Sequence, residues 1–452
     1  MRARTLPQSR SRSKWGKPFA RKALAVAAVV SLGTGLLAGC ADDGGDDGSG
    51  SSSGGEGKTT ITLGLFGAFG YKEAGLYDEY EKLNPHIKIA ENVVERNENY
   101  YPALLNHLTT NSGLHDIQAV EVGNITEIVN TQAAKLEDLS KVQGVKKSDW
   151  LDWKWQQATT KDGQTIGLGT DIGPMAICYR KDMFEKAGLP TDREEVGKLW
   201  EGDWSKYVEV GRTFKKNFKG GKVAFTDSAS GLFNAMVYGH SEQYYNEKGD
   251  LIHDKNPVVK EAWTLSSDAA EEGLTAKLRQ FQPGWDPGLS NGTFATAVCP
   301  AWMLSHISEK AGDKNKGKWD VARAPKGANW GGSFLGVIED SPVKEEAKKL
   351  VAWLTAPEQQ AHIFKELGNI PSSEKALKAP DVTNAKSEYF SDAPIGQIFG
   401  AAAQEIPDKQ VLGRKDGTIK DIFSQGLALV EQGTARDKAW ATTMERIEKA
   451  VG

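Results

Sequence analysis

From Thr59 onward, short β-branched or apolar runs alternate with stretches of helical period, and that alternation restricts the chain to an α/β architecture. Thr59-Thr-Ile-Thr-Leu-Gly-Leu-Phe66 alternates and is β-branched, so it predicts a strand. Glu73 to Leu83 carries apolar residues at helical spacing, and Asn84-Pro85 stops it. His86 to Ala90 returns to strand. Asn97 to Ser112 predicts a helix ending at Gly113, and Asp116 to Val122 predicts the next strand. Repeated units of this kind predict a mainly parallel sheet flanked by helices. Further helices are expected over Lys181–Ala187, closed by Gly188, over Lys344–Leu354, closed by Thr355-Ala-Pro357, and over Asp437–Val451. The stretch from Lys58 to Gly452, about 395 residues, is too long for one hydrophobic core and suits two lobes.

The residues before Lys58 read as an address and a tether rather than fold. Arg2, Arg4, Arg10, Arg12, Lys14, Lys17, Arg21 and Lys22 form a charged start without acids. Ala23 to Leu37 follows as an apolar stretch too short to span a bilayer comfortably. Leu37-Ala-Gly-Cys40 closes it and resembles the lipobox of bacterial lipoproteins. That resemblance implies a signal peptide over 1–39, a diacylglyceryl thioether on Cys40, and anchoring on the outer face of the cytoplasmic membrane. Residues 40–57 supply the lipidated Cys and a Gly/Ser/Asp tether, which cannot bury enough surface to offset its ordering entropy. The whole chain carries a formal charge of −4, and without the eight basic residues of the leader about −12. An acidic surface without basic clusters makes nucleic acid an unsuitable partner.

Cys178 and Cys299 remain as a pair in an oxidising compartment. Both sit in short apolar stretches, Met175–Tyr179 and Phe294–Cys299, that read as buried strands. One disulfide between strands of the same lobe is the expectation, with two separately buried thiols as the alternative.

Four stretches, in order, resemble the extracellular solute-binding proteins of ABC transporters, in the branch that holds maltose-binding protein and other sugar-binding lipoproteins. The first is Tyr80-Glu-Lys-Leu-Asn-Pro-His-Ile-Lys-Ile89 with Ser112-Gly-Leu-His-Asp-Ile117. The second is Ile166-Gly-Leu-Gly-Thr-Asp171, leading into Ile177-Cys-Tyr-Arg-Lys-Asp-Met-Phe-Glu-Lys-Ala-Gly-Leu-Pro190. The third is Phe294-Ala-Thr-Ala-Val-Cys-Pro-Ala-Trp302, and the fourth is Gly331-Gly-Ser-Phe-Leu-Gly-Val-Ile338 with Glu366-Leu-Gly-Asn-Ile-Pro371. The resemblance implies the type II periplasmic-binding-protein-like fold: two α/β lobes, a ligand cleft between them, and hinge crossovers that let the lobes close. Lobe one would hold 58–171 plus 330–375, and lobe two 172–329 plus 376–452. It further implies a monomeric carrier that takes a mono- or oligosaccharide to membrane permease subunits, is not an enzyme, and needs no cofactor and no metal.

The residues suit such a task, because sugars are bound by aromatic faces stacked on C–H patches and by carboxylates and amides that meet hydroxyls. Twelve tryptophans lie beyond the leader. Trp302, after Pro300-Ala301, matches the position where relatives place a stacking aromatic. Asp171 precedes the first crossover, where relatives place an acidic side chain, and Glu121 and Asn124 follow the strand after Asp116 at a lobe-one edge. Trp330 and Gly331 stand at the re-entry into lobe one, with Gly332 beside them. Phe66, Phe69 and Tyr71 surround a loop that opens towards the cleft in the family. Trp285 and Phe233 are better explained by packing, as is the pair Trp153 and Trp155.

Other chemistries fit less well. The seven histidines are scattered, and neither His-Glu-x-x-His nor Cys-x-x-Cys occurs. Gly288-Leu-Ser-Asn-Gly292 has the letters of a nucleophile elbow but reads as a loop. Gly57-Lys58-Thr59 ends like a phosphate loop, yet Ser52 stands where its first glycine belongs. A secreted glycoside hydrolase is the rival, since paired carboxylates beside tryptophan would look similar. Arg180, a possible phosphate ligand, is expected at the surface, which favours an uncharged sugar.

Overall fold

The computed structural model describes residues 57–407 and 409–451. The expected signal peptide, Cys40 and almost all of the tether lie outside the described residues. Eleven strands are β1 (Thr59–Phe66), β2 (Ile87–Val94), β3 (Ile117–Glu121), β4 (Leu168–Gly169), β5 (Asp171–Ile172), β6 (Met175–Arg180), β7 (Ala224–Thr226), β8 (Phe294–Pro300), β9 (Trp319–Arg323), β10 (Ser333–Val337) and β11 (Ile370–Pro371).

They form two principal sheets, ordered β2-β1-β3-β10-β4 and β7-β8-β6-β9, with the pair β11-β5 between them. The expectation of mainly parallel sheets needs correcting. β2-β1-β3 and β7-β8 are parallel, but β10 runs antiparallel to β3 and β4, and β6 runs antiparallel to β8 and β9. The antiparallel strands adjoin the segments that pass between the sheets, so they enter in the opposite sense to the local β-α-β units.

Each sheet is buried on both faces, and the period of two along a strand sorts side chains between them. Leu335 and Val337 face one core while Phe334 faces the other. Likewise Ile177 and Tyr179 join one core of the second sheet, and Ala176 and Cys178 join the other. Val298 and Cys299 divide in the same manner. The two cysteines therefore share a face, diagonal across β6 and β8, and they form a disulfide with Cα atoms 5.8 Å apart. Both are fully buried.

Local signals set the helix ends. The first helix begins at Leu76 rather than Glu73, because Gly75 before it takes φ +71°. The second runs over Asn97–Thr110 and stops at a left-handed Asn111. Helices Lys181–Lys186, Lys344–Leu354 and Arg436–Val451 match the sequence reading. Arg180 departs from it: the residue is buried, its guanidinium bonded twice to Asp182 at 2.8 Å. Gly288–Gly292 lies at the end of a short helix, Trp285–Asn291, where the Ser290 hydroxyl donates to the Pro287 carbonyl.

Three segments run between the sheets. The first passes from β4 through β5 into β6, the second from β9 through Trp330-Gly-Gly332 into β10, and the third through β11. They are tied together: β5 pairs with β11, Pro174 bridges Asn329, and the Trp330 N–H donates to the Gly173 carbonyl at 2.8 Å. This knot places the candidate residues.

Candidate functional site

Trp302 opens the helix Met303–Ala311 directly after β8. Its indole N–H donates to the Trp330 carbonyl at 2.9 Å, and the two indoles meet edge to face with centroids 5.7 Å apart. Gly331 takes φ +106°, and a methyl group there would lie 2.7 Å from Trp302 Nε1. The glycine is therefore required by the close approach of the indole as well as by its backbone.

A residue that the sequence reading missed completes this aromatic group. The Phe281 ring stacks on Trp302 at 5.7 Å and 26°, and lies 4.9 Å from Trp285, 5.2 Å from His306 and 6.4 Å from Trp330. Phe281 takes φ +61°, a left-handed conformation that costs a non-glycine residue on the order of 1–2 kcal/mol. Pro283-Gly284 marks a turn just beyond it, but nothing in the sequence marks Phe281 itself for a left-handed backbone.

On the other side of the knot stand the carboxylates. Asp171 Oδ1 accepts from the Thr170 hydroxyl at 2.7 Å and from the Ser333 N–H at 3.0 Å. Glu121 caps the helix Val122–Thr131, its Oε2 accepting from the Gly123 N–H at 2.8 Å. Burial raises both carboxyl groups above the ordinary range. Lys154 opposes that rise at Asp171, and at Glu121 Lys420 opposes it most, with Lys154 adding to it.

Lys154, between Trp153 and Trp155, is a residue that the sequence pattern does not single out. Those tryptophans lie on the short helix Asp152–Gln157, buried in different cores, so packing accounts for them. Lys154 between them has no exposed surface, and burial pushes its ammonium down to about 8.

Other candidates fall as follows. Asn124 Oδ1 accepts from Asn97 Nδ2 at 2.8 Å, and its amide faces Gly417 of helix Asp416–Glu431. Phe66, Phe69 and Tyr71 form a chain of ring contacts at 5.5 and 5.8 Å. Tyr71 is buried and near enough to Asp171 for that charge to help raise its hydroxyl, while Phe66 and Phe69 are half-buried. Trp285 and Phe233 are fully buried, the former donating its indole N–H to Asp227 at 3.0 Å.

Glu121, Trp330 and Gly331 line one cavity of about 20 Å³, room for about one water, opposite Tyr238, Asp416 and Lys420. It is small because the lobes touch around it. Lys415 pairs with Glu127 at 2.6 Å, and the Arg96 guanidinium reaches the Phe281 carbonyl. Two larger cavities, of about 460 and 450 Å³, open away from this junction, one beside Arg193 and Arg323 and one beside Phe364 and Phe390. Neither is lined by a tryptophan, so the narrow one is the better candidate despite its size.

A model of the family described as bacterial extracellular solute-binding protein matches residues 75–388. A crystal structure of an extracellular solute-binding protein family 1 member is 41% identical, covers 87% of this chain and 100% of that one, and superposes with a TM-score of 0.78. The lactose-binding protein of Rhizobium radiobacter is 24% identical over 55% of this chain. The match spans only 59% of that curated relative's own length. The ABC transporter associated binding protein of B. animalis subsp. lactis Bl-04, solved with β-1,6-galactobiose, is 22% identical over 87% of this chain and 97% of its own, with a TM-score of 0.72, and shares the fold.

Proposed function

Because the chain belongs to the bacterial extracellular solute-binding proteins, we propose that it is the substrate-binding component of an ABC importer, taking a mono- or oligosaccharide into the cleft between its lobes. One observation carries this reading. Tryptophan and carboxylate side chains from separate segments converge on the junction of the two sheets, Trp302 and Trp330 on one side and Asp171 and Glu121 on the other. Aromatic faces beside acceptors that retain free oxygens suit a ligand with apolar C–H patches and hydroxyl donors. Relatives that bind lactose and β-1,6-galactobiose support the same class.

Ligand contacts from both lobes would favour the closed arrangement over an open one, and membrane permease subunits would then receive the loaded protein. Lipid on Cys40 would hold it at the outer face of the cytoplasmic membrane, and it would act as a monomer. Energy would come from ATP hydrolysed elsewhere, so the chain itself would catalyse nothing. Its lobes would be 58–171 with 330–375, and 172–329 with 376–452.

The test is a thermal-shift and intrinsic-fluorescence screen of the purified protein against mono- and disaccharides, including lactose and β-1,6-galactobiose. Binding to the folded state raises the melting temperature by mass action. A response to one sugar, recovered chemically intact, supports transport and removes the hydrolase alternative. Sugar cleavage overturns the reading, and silence across the panel redirects it to peptides or phosphates.

A further inference from the structure

The most anomalous polar group outside the sequence-derived set is the Lys154 ammonium. It is wholly buried, and among the described residues no hydrogen-bond acceptor reaches it. It lies over the Phe334 ring, 3.9 Å from the ring centroid. An ammonium withdrawn from water without a partner is costly, and such a charge persists where a longer-range interaction offsets the cost.

Its position identifies that interaction, because the side chain threads the three segments that join the lobes. A methyl on Gly169 in β4 would lie 2.9 Å from Lys154 Cγ and from the Ser372 hydroxyl, next to β11. A methyl on Gly332, where the chain re-enters the first sheet, would lie 2.8 Å from Lys154 Nζ and 2.4 Å from the Asp171 carbonyl. Asp171 and Glu121 flank this position, and each has one oxygen bonded to its own neighbourhood. Among the described residues nothing donates to Asp171 Oδ2 or Glu121 Oε1.

We propose that Lys154 is a positioning residue of the cleft, the shared counter-charge that lets Glu121 and Asp171 together serve as acceptors for ligand hydroxyls and so confines the ligand to uncharged polyols. The proposal rests on the saccharide-binding reading and adds a residue that does not itself touch the ligand. Around the carboxylates, Lys420 and Asp421 face Glu121 from the helix Asp416–Glu431, Tyr238 faces it from the second lobe, and Tyr71 faces Asp171. Lys420 pairs with Asp421 at 3.8 Å yet acts on Glu121 more strongly than Asp421 does, so Glu121 has a second cation while Lys154 is the cation it shares with Asp171, and formally three carboxylates face two cations. An anionic group would meet that excess negative charge in a water-poor site, where charges interact strongly.

Replacing the ammonium by an apolar chain of similar length should raise the titration midpoints of both carboxyls, since an opposite charge is removed. The first readout is carboxyl ¹³C NMR of ligand-free protein, wild type against Lys154→Met, with Glu121→Gln and Asp171→Asn to assign the signals. Both midpoints are expected to rise by about one unit or more. Unchanged midpoints overturn the proposal.

The second readout is lactose and β-1,6-galactobiose affinity as a function of pH. Lys154→Met is expected to weaken binding at least about fivefold on the acid side of its raised carboxyl midpoints and to approach wild type as pH rises through them, both proteins being compared below about pH 8, where the wild-type ammonium keeps its proton. A loss equal at every pH marks a merely structural lysine and overturns the proposal. Lys154→Gln repeats both measurements if the Met variant does not fold. If neither sugar binds wild type while the midpoints still move, the counter-charge stands and the choice of these saccharides fails instead.

Discussion

The Trp302 indole N–H donates to the Trp330 carbonyl at 2.9 Å, fastening the start of a second-lobe helix to the segment that returns into the first sheet. This bond fixes the indole plane across the junction of the lobes. A sugar stacked on it would sense the relative placement of both. Trp302→Ala is expected to weaken saccharide binding by roughly tenfold or more, and Trp302→Phe, which keeps a ring but loses the donor, by less. Isothermal titration with the sugar identified by the screen measures both. Equal affinity in Trp302→Ala and wild type would remove the residue from the site.

Gly332 is a crowded point of the knot. It takes φ +95°, and a methyl there meets the Asp171 carbonyl at 2.4 Å, Lys154 Nζ at 2.8 Å and Ile172 Cα at 3.1 Å. Two of these neighbours are backbone and cannot swing aside. Gly332→Ala should cost about 2–4 kcal/mol in urea unfolding. Gly400→Ala, in a helix with nothing within 4 Å of the added methyl, should be neutral or stabilising by up to about 1 kcal/mol. Similar stabilities for the two variants would contradict the crowding seen at Gly332.

These two sites show what the sequence could and could not disclose. Trp302 was singled out by its match to the position where relatives place a stacking aromatic, and Gly331-Gly332 by the local signal of adjacent glycines. Cys178 and Cys299 were legible as a pair, since each sits in an apolar run and only two cysteines remain once Cys40 is set aside for lipid. Lys154 was not, because a lysine between two tryptophans reads as a solvated charge. Its burial follows from where β4, β10 and β11 meet, which no local pattern encodes. Phe281 was hidden for the opposite reason: its left-handed backbone is imposed by tertiary contacts, including the Arg96 guanidinium on its carbonyl. The antiparallel insertion of β10 was likewise a matter of chain return rather than of period.

The disulfide closes 121 residues of chain, and chain-entropy reasoning assigns such a loop a stabilisation of about 4–5 kcal/mol as an upper figure. Cys178→Ala with Cys299→Ala should lower the melting temperature, since the cross-link that restricts the unfolded chain is lost from the buried core. Differential scanning calorimetry under oxidising conditions tests this. Two free thiols in native wild-type protein by mass would defeat it.

Asp416 lines the interlobe cavity, accepts from the Gly413 N–H at 2.8 Å, and is pushed by burial from 3.8 up to about 8. A proton held more tightly by the folded state stabilises fully below about pH 3.8, and this contribution is lost as pH rises through about 8. Asp416→Asn lacks that titration. The stability of wild type relative to the variant should therefore fall between about pH 4 and pH 8, by a few kcal/mol at most, and level off above. Urea unfolding across this range checks the slope, and parallel profiles for the two proteins would show that Asp416 titrates normally. Burial also pushes Asp227 up to about 7, but that group is common to both proteins and cancels in the comparison.

The Lys415–Glu127 pair bears on closure rather than on the fold. Lys415 precedes the helix Asp416–Glu431 of the second lobe, whereas Glu127 lies on Val122–Thr131 of the first and also accepts from the Tyr101 hydroxyl at 2.8 Å. Separation of the lobes would break the Lys415 contact and keep the Tyr101 one. With the Lys415 side chain 37% exposed, solvent limits the pair to about 0.3–1 kcal/mol. That energy belongs to the closed arrangement alone, so Lys415→Met should lower sugar affinity about two- to fivefold and barely move the melting temperature of ligand-free protein. Small-angle scattering should show a larger mean radius of gyration without sugar and the wild-type value at saturation. If affinity is unchanged, the pair forms equally in both arrangements. If the radius stays larger at saturation, Lys415 is needed to complete closure, and the Arg96 contact to Phe281 cannot hold the lobes together alone.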